Sequence, residues 1–249
     1  MRSLLRRKPD LPDAIEIDVQ GAPLRIRLRM NARAVRYLLR LPADNSGPVM
    51  TIPNGGSAAQ AKRFALQHVD WLLERLERRP EHVALMPGDY VPVRGVEHKI
   101  VMTGKLRGLV QVSEQDGEPV LLVPGDEVHV PRKVVNWLKS EAKRDLVAAT
   151  QKHAPSIGKK VAGLSVRDTK SRWGSCAHNG RLSFSWRLIL APPDILDYVA
   201  AHEVAHLQEM NHSERFWRVC EKLAPQTPQA RKWLKDNGAR LHGYGQTQD

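Results

Sequence analysis

The sequence predicts an α+β protein. A mainly antiparallel β region with one helix is expected over residues 1–130. In residues 131–249 a short sheet with a hairpin is expected to pack on a helix carrying His-Glu-x-x-His. Three observations lead there: apolar residues alternate with period 2 through much of the first half, Gly and Pro break those runs at short intervals, and from Pro192 onward the periodicity becomes helical. With 41% hydrophobic residues the chain can build a core, which argues against wholesale disorder.

Taken in order, residues 15–30 read as a half-buried strand, with Leu24, Ile26, Leu28 and Met30 on one side and Arg25, Arg27 and Arg29 on the other. Val35–Leu41 and Val49–Ile52 read as further strands, separated by the turn-rich stretch Pro42–Pro48. Ser57 is a candidate N-cap for a helix over 57–79 that Pro80 ends, with Ala61, Phe64, Ala65, His68, Leu72 and Leu76 along one face. Strand-like runs return at Tyr90–Val93, His98–Met102, Leu109–Val112 and Val120–Val123. Pro131 suits the first turn of a helix reaching about His153, with Val134, Leu138 and Ala142 inward. Residues 164–190 read as strands and a hairpin whose arms, Arg172–Cys176 and Arg181–Leu190, meet at Ala177-His178-Asn179-Gly180. Pro192-Pro193 opens a helix to about Glu209, and shorter helices follow at about 213–223 and 228–237. No internal repeat of fixed period is evident.

Charge and cysteine content bound the setting. The net charge is +12, and the first 80 residues hold 15 basic against 8 acidic side chains. A basic balance of this kind suits a polyanionic partner and equally suits simple dispersal of a soluble protein, so nucleic acid is a candidate partner through the basic N-terminal region. Two cysteines, Cys176 and Cys220, make no disulfide framework. No signal-like segment and no apolar run of spanning length is present, so the expectation is a cytoplasmic protein with no membrane association.

The chemistry concentrates at His202-Glu203-Val204-Ala205-His206. Residues four apart on a helix differ by about 40° around its axis and about 6 Å along it, so both imidazoles can reach one ion. Glu203 is turned about 100° away, poorly set to ligate but well set to take a proton from a metal-activated water. Zinc suits imidazole donors, and a catalytic zinc takes three protein ligands. His212 is the candidate third, provided the helix stops so that the chain can fold back. Asn211 tolerates the left-handed conformation that ends helices, and Ser213 can cap the next helix. Glu221 is the carboxylate alternative. The expected complement is therefore one Zn2+ on His202, His206 and His212, with Glu203 as general base.

The run Lys170-Ser171-Arg172-Trp173-Gly174-Ser175-Cys176, then Trp186-Arg187-Leu188, Tyr198-Val199, the His-Glu-Val-Ala-His segment, and Asn211-His212-Ser213 with Phe216-Trp217, resembles the YgjP-like metallopeptidase family. That family is similar to SprT-like proteins and other small zincins. The match is dense from about 160 to 240 and looser over 15–150. The family usually has Leu where Val204 stands, and Glu209 stands where metzincins place a glycine. The resemblance implies a zincin-like metallopeptidase domain over 131–249, with the three histidines on zinc and Glu203 as base. It further implies an extended peptide or protein substrate added to an edge strand, for which Arg181–Arg187 is the candidate. Arg172, Trp173 and Trp186 are candidate substrate-binding residues, each also open to a structural role. His68, His153 and His242 lack partners at ligand spacing and read as ordinary residues. Two other readings stand beside a zinc peptidase. One is a metal-dependent nucleotide pyrophosphatase or phosphohydrolase, an activity assigned to some members, although no phosphate-cradling Gly-rich loop is visible. The other is a SprT-like protease acting on DNA-associated substrates.

Overall fold

A computed structural model describes residues 11–42, 46–77, 82–169 and 171–245. The chain divides into two compact units, residues 1–79 and 80–249. The boundary expected at 130 therefore falls inside the second unit, because the strands between 90 and 123 share a core with the C-terminal helices. The fold is α+β, built from three small sheets and six helices among the described residues.

In the first unit, β1 (Ala14–Val19) and β2 (Ala22–Met30) pair antiparallel. The alternation over 15–30 had concealed a turn here. Gln20 (φ 56°) and Gly21 (φ 82°) form a two-residue connection with both φ positive, the geometry that matches strand twist. β3 (Leu38–Arg40) is shorter than the run 35–41, and β4 (Val49–Ile52) lies where expected. The sheet order is β1-β2-β4-β3, with β2 and β4 parallel and β3 antiparallel to β4. The expected helix over 57–79 is two helices, α1 (Ala58–Gln67) and α2 (Val69–Glu77), broken at His68, whose Nδ1 hydrogen-bonds the carbonyl of Phe64. Arg78, Arg79 and Pro80 lie outside the described residues. Ser57 caps α1 as anticipated, its side chain accepting from Gln60 N–H at 3.2 Å. Ile17, Ile26, Met50 and Ile52 are fully buried against Ala61, Ala65 and Leu72 of the two helices.

In the second unit, β5 (Tyr90–Val93), β6 (Val96–Met102), β7 (Gln111–Gln115) and β8 (Glu118–Val123) form a sheet of order β5-β6-β8-β7. Its sequence of antiparallel, parallel and antiparallel pairings repeats that of the first sheet. The first hairpin again turns on two positive-φ residues, Arg94 (φ 52°) and Gly95 (φ 80°). Each third-paired strand also ends alike, Val49-Met50-Thr51-Ile52-Pro53 in one and Val120-Leu121-Leu122-Val123-Pro124 in the other, and a helix follows each. The chain thus holds two ββββα modules of the same topology, a repeat too sparse in shared residues to register as a sequence period.

α3 (Val130–Ser156) packs on the second module's sheet through a stripe at helical spacing, Val130, Val134, Leu138, Ala142 and Leu146. Arg94 in the β5–β6 turn ties that sheet to α3 by pairing with Asp145 (2.7 Å) and Glu141 (2.8 Å). Beyond α3 come β9 (Gly163–Arg167), β10 (Gly174–Cys176) and β11 (Arg181–Ser185), ordered β10-β11-β9 with β11 parallel to β9. The second hairpin arm ends at Ser185, and Trp186–Leu190 coil into a short 3-10 helix. In the hairpin turn only Gly180 has positive φ, 75°, so Asn179 is not the left-handed residue expected of a two-residue Asn-Gly turn; the loop is longer, closed by Gly180 N–H to the Ala177 carbonyl. α4 (Pro193–Ala205), α5 (Glu214–Leu223) and α6 (Thr227–Leu241) complete the unit. α4 is buried almost all round rather than on one face. Ala200, Ala201 and Ala205 give it the small surface a central helix needs. No helix among the described residues is long and apolar enough to cross a membrane.

Candidate metal centre

α4 carries His202 near its C-terminal end and His206 at its C-cap, and the helix stops there. The reversal that brings His212 back is made without left-handed backbone. Leu207 and Gln208 N–H bond to carbonyls three residues back, Ser213 N–H bonds to the Asn211 carbonyl at 2.8 Å, and Asn211 does not take positive φ. Ser213 then caps α5 by accepting from Phe216 N–H.

His202, His206 and His212 each present a ring nitrogen within 4.8 Å of the others. The Nε2 atoms of His202 and His212 are 3.1 Å apart. The opposite nitrogens are engaged outward: His206 Nδ1 hydrogen-bonds the Glu209 carbonyl at 3.0 Å, and His202 Nδ1 lies 3.4 Å from the Tyr198 hydroxyl. Such partners select the tautomer whose free lone pair points at the shared centre. Phe216, fully buried, floors the cluster, stacked on His206 at 4.4 Å and edge-on to His202 and His212 at 4.9 and 4.8 Å. Burial, together with the charges of His206, His212 and Arg231, pushes the His202 imidazole down to about 3, and burial lowers His206. The donor set suits zinc: three imidazoles in one cluster, two of which, His202 and His206, are favoured in the neutral form by burial and oriented from behind. Glu221, the carboxylate alternative, is exposed and does not join the cluster.

Glu203 is 5% exposed, and burial raises its carboxyl to about 8 against the partly opposing charge of Arg172. It packs on Gly174 of β10 so closely that a Cβ there would fall 2.5 Å from Oε1, which only glycine permits. This places β10, at the edge of its sheet, beside the carboxylate. β11 is central, hydrogen-bonded on both sides, so Arg181–Arg187 is not a free edge.

The three candidate substrate residues separate. Arg172 is exposed, and its carbonyl accepts from Thr169 Oγ1 at 2.7 Å. Trp173 is half-buried, stacked on His242 at 4.8 Å and close to Gly238 of α6. Trp186 is fully buried under the Arg187 guanidinium at 4.5 Å and has no surface to offer a substrate, a correction that follows from its position in the 3-10 helix at the centre of the core. Arg187 is itself buried, paired with Asp168 and donating to the Tyr244 carbonyl. Of the histidines set aside, His153 pairs with Asp197 at 2.9 Å, and His68 stacks on Phe64.

Sequence reasoning gave no role to four contributors, three of which it had quoted only within the matching runs. Tyr198 lies one helical turn before His202, so the i,i+4 rule could have found it. Trp217 stacks on His212 and is covered by Arg231 at 4.3 Å, which brings α6 to the cluster; nothing local to either residue signals that. The need for glycine at 174 comes only from the approach of a distant helix.

A family model described as YgjP-like, metallopeptidase domain, matches residues 36–237. Among solved structures the chain is similar to the metallopeptidase zymogen of Pyrococcus abyssi abylysin, at 23% identity over 41% of this chain and 93% of that one, with a TM-score of 0.29. No curated protein matches the chain.

Proposed function

The chain belongs to the YgjP-like metallopeptidase family, and from that premise we propose that it is a zinc-dependent peptidase in which His202, His206 and His212 hold one Zn2+ and Glu203 is the general base. The observation that carries this is the convergence of three imidazole nitrogens within 4.8 Å at the end of the helix that also buries Glu203. Zinc bound there would polarise the scissile carbonyl and acidify a water at neutral pH. Glu203 takes a proton from that water and returns it to the leaving amine nitrogen. Burial raises its carboxyl to about 8 in the metal-free chain, and the positive charge of a zinc ion beside it would favour the carboxylate that accepts the proton. Tyr198 and the Glu209 carbonyl keep the rings of His202 and His206 aimed. The edge of β10 aligns an extended peptide or protein substrate by backbone hydrogen bonds, and Arg172 and Trp173, which adjoin β10 in sequence, border that track.

The test is E203Q. Hydrolysis of a peptide library should fall by at least about 100-fold while metal content stays near one zinc per chain. Full activity in the zinc-loaded variant would end the proposed role of Glu203. Nucleoside triphosphates assayed alongside separate this reading from the nucleotide-hydrolase alternative, since turnover of triphosphates with none of peptides would favour the latter.

A further inference from the structure

The two ββββα modules permit a comparison within one chain. Both sheets bury one face and turn the other away from the core. In the first module the outward positions of β2 are Arg25, Arg27 and Arg29, four, six and eight residues after the hairpin glycine Gly21. By strand pairing, Arg27 beside Val49 and Arg29 beside Thr51 correspond in the second module to Lys99 beside Val120 and Val101 beside Leu122. Arg40, opposite Val49 in the first sheet, corresponds to Ser113, opposite Val120 in the second. The fold therefore stands with Val101 and Ser113 in place of two of these arginines, and the density of guanidiniums on the first module calls for another reason.

All four guanidiniums are exposed. Arg25, Arg29 and Arg40 make no ion pair among the described residues, and the Arg27 guanidinium donates to Ser46 Oγ at 2.8 Å. Arg33 and Arg36, in the loop joining β2 to β3, are also exposed. Residues 19–42 thus hold six arginines and no Asp or Glu. The acidic groups of the face, Glu16 and Asp18, lie on β1 at its margin, with Glu16 opposite Arg25. Along β2 alternate residues are about 6.7 Å apart, comparable to the repeat of phosphates on an extended nucleic-acid strand. Arginine is the side chain best suited to phosphate, through its planar fork of donors. The outward residues of the sheet include no aromatic ring, so recognition would be of the backbone and not of base identity.

We propose that the outward sheet face of the N-terminal module, formed by Arg25, Arg27, Arg29 and Arg40, binds the phosphodiester backbone of single-stranded nucleic acid. This stands independently of the peptidase reading, since it involves no residue of the metal centre.

The measurement is fluorescence anisotropy of a labelled 20-nucleotide oligothymidylate titrated with the full chain. Four phosphate contacts predict a slope of log K against log salt of about −3, a loss of roughly 50-fold between 50 and 200 mM salt. The variant R27T/R29V/R40S puts at positions 29 and 40 the residues that the second module carries at matching register, with a strand-compatible threonine at the exposed position 27, so it is compatible with the fold. It should bind at least tenfold more weakly at 50 mM salt, with the circular dichroism spectrum and peptide hydrolysis retained. Equal affinity of variant and wild type, or salt-insensitive binding, would overturn the proposal. So would capture by phosphatidylserine vesicles without binding to the oligonucleotide, which would make the face a membrane contact.

Discussion

The smallest change that probes the centre is the loss of one oxygen. The Tyr198 hydroxyl sits 3.4 Å from His202 Nδ1, at a buried position one turn earlier on α4. It touches neither the shared centre nor any substrate, so its effect on the reaction passes through the orientation of His202. Outer partners of this kind typically contribute 10–100-fold in metal affinity. Tyr198→Phe should weaken zinc binding by about tenfold, read by competition with a chromophoric chelator, while kcat of the fully loaded enzyme stays within a few-fold of wild type. Unchanged affinity would show that the hydroxyl does not orient the ring. Arg172 offers a contrast. It acts on Glu203 only through its charge and is exposed, so any larger role would have to come from contact with substrate.

At the scale of elements, α4 is held at its two ends by different means. Its C-terminal end is fixed by the histidine cluster, and its N-terminal half is clamped to α3 by Asp197, which accepts from His153 at 2.9 Å and Lys152 at 3.1 Å, with Gln226 added from the start of α6. Burial alone would raise the Asp197 carboxyl, but these partners outweigh it and bring the group down to about 2. A carboxyl lowered in the folded state stabilises the fold above its unfolded pKa, about 3.9, and that contribution fades as pH falls towards 2. Allowing for solvent screening of a partly exposed pair, it amounts to about 1 kcal/mol at neutral pH. In urea unfolding of the metal-free chain, D197N should be less stable than wild type by about that amount at pH 6, and the gap should narrow by pH 3. A gap that stays constant would remove the clamp as its cause. The elements also show where sequence reading ends. Ser57, Ser213, the strand Val49–Ile52 and the His-Glu-x-x-His helix were legible because capping, alternation and i,i+4 geometry are local. The turn at Gln20-Gly21 was hidden because alternation runs unbroken through a two-residue hairpin. The centrality of β11 and the burial of Trp186 depend on which strand pairs with which, and no local pattern carries that.

For the whole molecule, the consequence follows from two separate cores. The first unit buries Ile17, Ile26, Met50 and Ile52 with its own helices, and the second builds its core around α3, α4 and the two remaining sheets. All three candidate zinc ligands and Glu203 belong to the second unit. A ligand that binds only one folded unit stabilises that unit by mass action and leaves an independent neighbour unaffected. Calorimetric unfolding should therefore resolve two transitions, and saturating zinc should raise the midpoint of one of them. Ile26→Ala removes a fully buried side chain from the first core and should cost that unit about 2–5 kcal/mol, lowering the other midpoint. Combining zinc with Ile26→Ala should then give the sum of the two separate shifts, one on each transition, since neither perturbation has a partner in the other core. A single transition moved by both would mean that the units unfold as one cooperative body. The basic sheet face would then belong thermodynamically to the same structure as the metal centre, and occupancy at one would influence stability at the other.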